Sequence, residues 1–541
     1  MPEWVVYLPV LEARLTVSTE AIRNQVTDIL GTPGFIRAPR IAGLLEYLVD
    51  EELAGRGDRL RGYKVGVEGL GKSEDFDPSV DAGVRVETAR LRRMLAAYYA
   101  EHPLASVAIE VPKGSYRPRF ETLNPASSTS LEQIAVPSAG PAIAILSFAT
   151  RTGSSREVLL ATGLRAELLV ELFRYREFYF IDASDRDEIA ADLCGNLECE
   201  FAVRATIGVT DQVVSVQVST HDLQVGNIVW AERFELPADG GDLFGAVTDL
   251  ATEITGKLAR PAGMLAIAAV KKRLGRAPID WNASDCILRW HLYRLRERTP
   301  ESHAAVRSAV LALLRSDPGF SMGYVIYGML RIDEVVYRLN PRDDPATTFS
   351  HAEYLVNQAI AADPENALAH YVKAQCFYFT GRYDDFRDAI NRAIALNPGN
   401  TDIVHHAGAF LICGGERETG TRLLDQANMA YNTGIGYRLA HLIRHYIESE
   451  DAESSRDIVQ STFVPRDFSI GQIAICLLHA RWDRMDDAVE ALHRAYSIEQ
   501  NLHRSLSELV SLWFQDKSLA SQVMNDLGRV QRESGTLVRL L

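Results

Sequence analysis

The sequence predicts a multidomain α+β chain: a helical module that ends in a hairpin, then a mixed α/β domain, then an α-solenoid. Three observations lead there. Val84–Leu95 is amphipathic with arginines on one face and runs into two short strand patterns. Residues 142–258 alternate strand and helix patterns, and in the second half small, aromatic, glycine and proline residues recur at a spacing of 34. A chain of 541 residues exceeds what one core can organise and implies about three or four domains.

The first module is read from its helix signals. Residues 1–17 fit a short strand pair or a disordered lead. Ser18-Thr19-Glu20 opens a helical pattern through Ile22, Val26, Ile29 and Leu30 that ends at Gly31-Thr32-Pro33-Gly34. Arg40–Leu53 repeats apolar residues at Ile41, Leu44, Leu45, Leu48 and Val49, a second amphipathic helix. A third helical segment near Leu60–Leu70 precedes the acidic loop Glu74–Pro78. Then Val84, Thr88, Leu91 and Leu95 form one helical stripe, while Arg85, Ala89, Arg92 and Arg93 form another with Arg90 nearby. One face can pack, and the other can hold phosphates or the O6/N7 edge of guanine. The alternative is a solvated basic face on an ordinary helix. After a polar corner at Glu101-His102-Pro103, residues 107–120 read as two short strands around Pro112-Lys113-Gly114.

Helix, helix, loop, arginine helix and hairpin form the layout of a winged helix-turn-helix, and residues 1–120 resemble the C-terminal effector domain of OmpR/PhoB-type response regulators. The resemblance is carried by Arg90-Leu91-Arg92-Arg93-Met94-Leu95 and by Gly114-Ser115-Tyr116, where that family has a Gly-x-Gly-Tyr hairpin. It implies a DNA-binding site of Arg85, Ala89, Arg90, Arg92 and Arg93 on the helix and Lys113, Ser115 and Arg117 on the wing. Arg85 and Glu87 replace residues that are commonly acidic and histidine in the family, and Met94 replaces a basic one.

Composition is that of an ordinary soluble protein, 47% apolar and 24% charged. The net charge of −15 excludes a chain coated with nucleic acid throughout, although a DNA contact needs only a local basic face. Residues 1–120 are nearly neutral, with 16 Lys and Arg against 17 Asp and Glu. Six cysteines are scattered without the density of a disulfide scaffold, which fits a reducing cytoplasm. Cys194 and Cys199 lack a second Cys/His pair at zinc-site spacing, so no metal or other cofactor is expected. Trp4–Leu11 lacks a basic leader and Met264–Val270 is far shorter than the ~20 residues of a membrane span, so no membrane partner is expected.

Residues 121–140 are rich in turn formers and lack periodicity, as a linker does. From Ala142, a buried-type strand, a helix over Leu160–Tyr175, a strand at Phe178–Ile181 and a short helix over Asp185–Leu193 follow in turn. Phe201–Val209, Val213–His221 and Ile228–Leu236 alternate as a meander before a helix at Leu243–Leu258, which together imply one open mixed sheet. Residues 141–260 resemble the TolB-like amino-terminal domain family through Ala144–Phe148, Gly163–Leu168 and, most specifically, Val229-Trp230-Ala231-Glu232-Arg233-Phe234. That resemblance implies interaction and not catalysis. Ala238–Asp242 is a glycine-rich turn without the Lys-Ser/Thr of a phosphate loop, and Trp230 reads as a core or sheet-face aromatic.

Residues 261–280 read as a second linker, and residues 281–541 as the solenoid. Ala374, Phe377, Gly381, Tyr383, Ile390, Ala393 and Pro398 recur in part as Gly408, Leu411, Gly415, Leu424 and Ala427, 34 residues on. These residues resemble the tetratricopeptide repeat (TPR), whose small residues let paired helices approach and whose Gly and Pro make the turns. Tyr324, Tyr327 and Gly328 with Ala352, Val356, Ala359 and Pro364 give an earlier repeat with an insertion at Asn340–Ala346. Asp317-Pro318 closes a weaker repeat before it, and Ala488, Leu492 and Ala495 belong to a later one. Phe386 stands where the family has a small residue, and the register blurs over 433–470. A stack of about four to six repeats gives a concave face that binds peptides or other subunits. His405 and His406 read as structural or surface residues, and the pairs Asp384-Asp385 and Asp486-Asp487 as helix-start carboxylates.

The reading that follows is a non-catalytic, cytoplasmic, bacterial DNA-binding transcription regulator with a TPR sensor or interaction module. Its partners are double-stranded DNA and a protein or peptide on the concave face. A homodimer is compatible with it, because one module offers few phosphate contacts. The alternative is a protein-interaction scaffold whose winged helix binds protein.

Overall fold

The computed structural model describes residues 18–77, 81–101, 107–122, 140–184, 199–238, 243–260, 263–273, 281–295, 298–427, 435–448, 468–499 and 501–533. It divides into two units, residues 1–134 with 315–318, and residues 135–314 with 319–541. The arrangement is multidomain α+β, with an N-terminal helix and strand region and a C-terminal array of paired helices.

In the first unit the Ser18 hydroxyl accepts from the Ala21 amide at 3.2 Å and starts α1 (Thr19–Leu30). A single turn, α2 (Pro33–Ile36), leads to α3 (Pro39–Leu53), which begins on a proline whose missing N–H is not needed in a first turn. The helical segment expected at 60–70 is present as a short α turn, α4 (Gly62–Lys64), that widens into a π-type turn at Val65–Gly69. Phe76 packs directly on this turn, since a Cβ at Gly66 would stand 2.4 Å from its ring. Helix α5 (Gly83–Glu101) buries Val84, Thr88, Leu91 and Leu95 against Leu44, Leu45 and Leu48, the stripe that the spacing predicts. Strands β1 (Val107–Glu110) and β2 (Arg119–Thr122) pair antiparallel, with Ile109 opposite Phe120. Residues 1–17 and the corner at His102–Pro103 lie outside the described residues.

The second unit opens with a six-stranded mixed sheet. Its strands are β3 (Ala142–Leu146), β4 (Ala149–Thr150), β5 (Tyr179–Ala183), β6 (Phe201–Val209), β7 (Val213–Asp222) and β8 (Ile228–Pro237). They run in the order β5-β3-β6-β7-β8, with β4 beside β6. Helix α6 (Ser155–Phe173) carries the chain between the parallel strands β3 and β5, as a parallel pair requires a crossover. The β6-β7-β8 meander is antiparallel. One sheet face packs Ile143, Ile145, Val203, Val216 and Phe234 against α6 and α7 (Leu243–Ala259). Trp230 packs half-buried against the same core. Residues 261–280, which read as a linker, carry helix α8 (Met264–Arg273), whose Leu265, Ala266 and Ala269 are buried in that core. The segment Asp185–Leu193 and the turn at Asp239–Asp242 lie outside the described residues.

The helical array follows as α9 (Ala283–Leu295), α10 (Pro300–Ser316), α11 (Ser321–Val336), α12 (Pro345–Ala362), α13 (Ala367–Phe379), α14 (Tyr383–Leu396), α15 (Thr401–Cys413) and α16 (Arg417–Gln426). It continues as α17 (Ile435–Glu448), α18 (Ser469–Arg481), α19 (Met485–Ile498), α20 (Leu502–Trp513) and α21 (Lys517–Glu533). Helices pair α11 with α12, α13 with α14, α15 with α16 and α18 with α19. Gly381 and Gly415 take left-handed conformations, φ 75° and 98°, at the turn inside two successive pairs. Within α15 and α16 the backbones nearly touch, since a Cβ on Gly408 would stand 2.7 Å from the Gly420 carbonyl oxygen. Phe386, oversized for its position, is absorbed by an aromatic cluster. Its ring lies 5.1 Å from Tyr378, 5.3 Å from Tyr383 and 6.0 Å from Phe410.

The sheet is joined to the array through the end of α6. The Tyr175 hydroxyl donates to the Gly399 carbonyl at 2.9 Å, an Arg174 N–H donates to the Leu396 carbonyl at 3.2 Å, and the Asn397 amide donates back to the Arg174 carbonyl at 3.2 Å. Arg176 pairs with Asp363 at 3.0 Å. Beside them Glu177 is 1% exposed, and its Oε1 has no partner.

Candidate functional site

The arginine face of α5 separates into two groups. Arg85, Val86, Ala89, Arg90 and Arg93 are all exposed and fall within about 140° of the helix circumference, an arc that contains no acidic residue. Arg92, expected on the same face, is half-buried and turned toward the hairpin. Its Nε donates to the Val111 carbonyl at 2.7 Å, and its Nη2 to the Pro112 and Ser115 carbonyls at 2.9 Å each. On the hairpin side Lys113 is exposed beside Gly114, whose φ of 84° lets the turn close from Pro112 to Ser115. Ser115 is half-buried, and its hydroxyl accepts from the Arg117 amide at 3.0 Å. Arg117 forks onto both carboxylate oxygens of Glu52 at 2.7 and 2.8 Å and reaches Asp58 at 2.7 Å. Arg92 and Arg117 are therefore engaged within the fold, which a helical wheel cannot show.

A second site was not anticipated from the sequence. A cavity of about 40 Å³ opens among the first helices of successive pairs. Asp333 comes from α11, Tyr371 and Gln375 from α13, His406 and Phe410 from α15, and Ile443 from α17, with Arg294, Arg298 and Trp513 beside them. The second helices α12, α14 and α16 contribute no lining residue. Gln375, Ala409 and Ile443 line it at one repeat interval, which shows why the repeat builds a continuous wall.

The wall is aromatic and carries two guanidiniums. Arg294 is buried, pairs with Asp402 and lies 4.8 Å from the Trp290 ring, while its Nε and one Nη have no partner. Arg298 lies over Tyr337 at 4.1 Å, and its Nε and one Nη are likewise unpartnered. The Gln375 carbonyl oxygen and the Trp513 indole N–H complete a set of unused polar atoms. A buried guanidinium N–H without an acceptor is costly, and an anion or a carbonyl oxygen placed here would supply one.

Nearby titratable groups show how dry the surroundings are. Burial alone would raise Asp402, but the Arg294 guanidinium and His406 hold it well below the usual carboxylate range. Burial lowers His291 to about 3, with Arg294 adding to the effect, so that ring stays neutral. Burial raises Glu177 to about 7, against the pull of Arg294. Among the described residues no group of three or more His, Cys, Asp or Glu could hold a metal, and no helix is long and apolar enough to cross a membrane.

Residues 348–411, from α12 into α15, match the model of the tetratricopeptide repeat family. Among solved structures, the PelC dodecamer from Paraburkholderia phytofirmans is similar over 21% of this chain and 86% of its own, at 15% identity and a TM-score of 0.18. No curated protein matches the chain. The paired helices are thus TPR-like.

Proposed function

We propose that this protein is a non-catalytic interaction scaffold whose helical array receives a segment of a protein partner that presents a carboxylate beside an apolar side chain. The observation that carries this reading is the pair of guanidiniums with unused N–H groups at an aromatic cavity to which the second helices α12, α14 and α16 contribute no lining residue. About 40 Å³ admits the end of one side chain and no whole metabolite, so the rest of the partner lies along the groove. The carboxylate would accept from an unused N–H of Arg298, and Tyr371, Phe410 and Trp513 would flank the adjacent apolar group. The test compares partner recovery by the full chain and by Arg298→Gln. A partner held by the first and lost by the second, with unchanged circular dichroism, supports the reading. Recovery unaffected by Arg298→Gln refutes it.

A second reading rests on the acid-free arc of α5. In it, residues 1–120 act as a winged helix of the OmpR/PhoB type, the sheet is a TolB-like domain, and the chain is a DNA-binding regulator. Arg85, Ala89, Arg90 and Arg93 would face the duplex, with Lys113 on the wing. Arg90→Ala/Arg93→Ala is the proper probe, because changing Arg92 would disturb the hairpin itself. Gel-shift titration of the full chain should show binding that weakens with salt and is lost in that double variant. Binding that ignores salt, or no binding, refutes this second reading.

A further inference from the structure

On helix α6 the side turned away from the sheet carries Val158, Leu159, Thr162, Ala166, Val170 and Phe173 within about 120°, with no charged residue in that arc. The large ones are well exposed: Val158 49%, Leu159 62%, Val170 56% and Phe173 63%. Together they expose on the order of 400 Å², about half of what each partner contributes to a standard protein interface. Exposed Thr162 and Ala166 and half-buried Leu169 extend the patch.

We propose that this stripe is the contact between two copies of the chain, α6 lying antiparallel on α6 about a twofold axis through Ala166. Three features select a second copy as the occupant. The stripe is largely self-complementary: reversal about Ala166 sets Leu159 against Phe173 and Thr162 against Val170, while Val158 at the stripe's end meets Arg174. Gly163 is not required by the packing of its own chain, since a Cβ there would meet nothing within 4 Å. A mid-helix glycine that weakens the helix without serving its own core is accounted for by a close neighbour on the outside. The chain also carries a net charge of −15, so two copies approach best through a strip free of acidic side chains, here with Arg176 over the Phe173 ring at 4.1 Å.

Sedimentation velocity of the full chain over about two decades of micromolar concentration should show a monomer–dimer equilibrium. Val170→Glu should weaken it by about tenfold or more without altering the far-UV spectrum. Ala166→Cys, on the axis, should crosslink to itself under mild oxidation. Thr162→Cys should not, because its two copies lie about 12 Å apart along the helices, beyond the reach of a disulfide. A chain that stays monomeric, whatever else covers the stripe, overturns the proposal. So does a dimer that Val170→Glu leaves intact, or a crosslink at Thr162→Cys without one at Ala166→Cys.

Discussion

Glu177→Gln offers a sharp test of the joint between sheet and array. Glu177 is fully enclosed, its Oε1 has no partner, and burial raises its pKa from 4.5 to about 7. A carboxyl raised in the folded state stabilises the protein below its unfolded value, and that contribution is lost as pH rises through the folded value. Between pH 4.5 and about 7 the unfolded chain has released the proton and the folded one has not, so stability falls with pH. At about 1.36 kcal/mol per pH unit the full loss is about 3 kcal/mol, complete above pH 7. Glutamine has nearly the same shape and never ionises. Urea unfolding at pH 5 and pH 8 should therefore show the variant gaining stability over the wild type by about 2–3 kcal/mol between the two conditions. His291, lowered to about 3 by burial, works the other way: its contribution is present above 6.5 and is lost as pH falls. It acts in both proteins and cancels from the difference. A difference independent of pH, or a variant less stable at pH 8, would refute the burial argument.

Other expectations follow from contacts already described. Gly408→Ala forces a Cβ to within 2.7 Å of the Gly420 carbonyl and should destabilise the array by about 2 kcal/mol, read as a lowered melting midpoint. Arg92→Ala removes hydrogen bonds to three carbonyls, and hydrogen exchange should rise at the β1 and β2 amides while α1 keeps its protection. Equal protection in both proteins would show that the guanidinium does not hold the hairpin. Tyr175→Phe loses the bond to Gly399 and should reduce stability by about 1 kcal/mol, with faster proteolysis near Leu396–Gly399 as the check.

Periodic features were the legible part of the sequence. The buried stripe of α5, the strand positions of the meander and the helix pairs around Gly381 and Gly415 all follow from spacing, because burial on one side imposes a repeat. What stayed hidden depends on contacts between distant segments. Nothing in Arg90-Leu91-Arg92-Arg93 says that the middle arginine reaches carbonyls about 20 positions on while its neighbours face solvent. Helix α8 was hidden because its run of small residues has weak amphipathic contrast and is flanked by turn formers. The groove could have been suspected from Arg294 and Arg298, one turn apart beside Trp290 and His291. Only the fold shows that Tyr337, Tyr371 and Trp513 converge on them.

The latch between Tyr175 and Gly399 has a mechanical corollary. It grips the bend between α14 and α15, and Asp402, which tethers Arg294, sits just past that bend. Were a partner to occupy the groove as proposed and shift the pitch of the array, it would have to tug the tail of α6 or snap the latch. Occupancy of the groove and the seating of α6 would then be geared together, like two ends of one short lever.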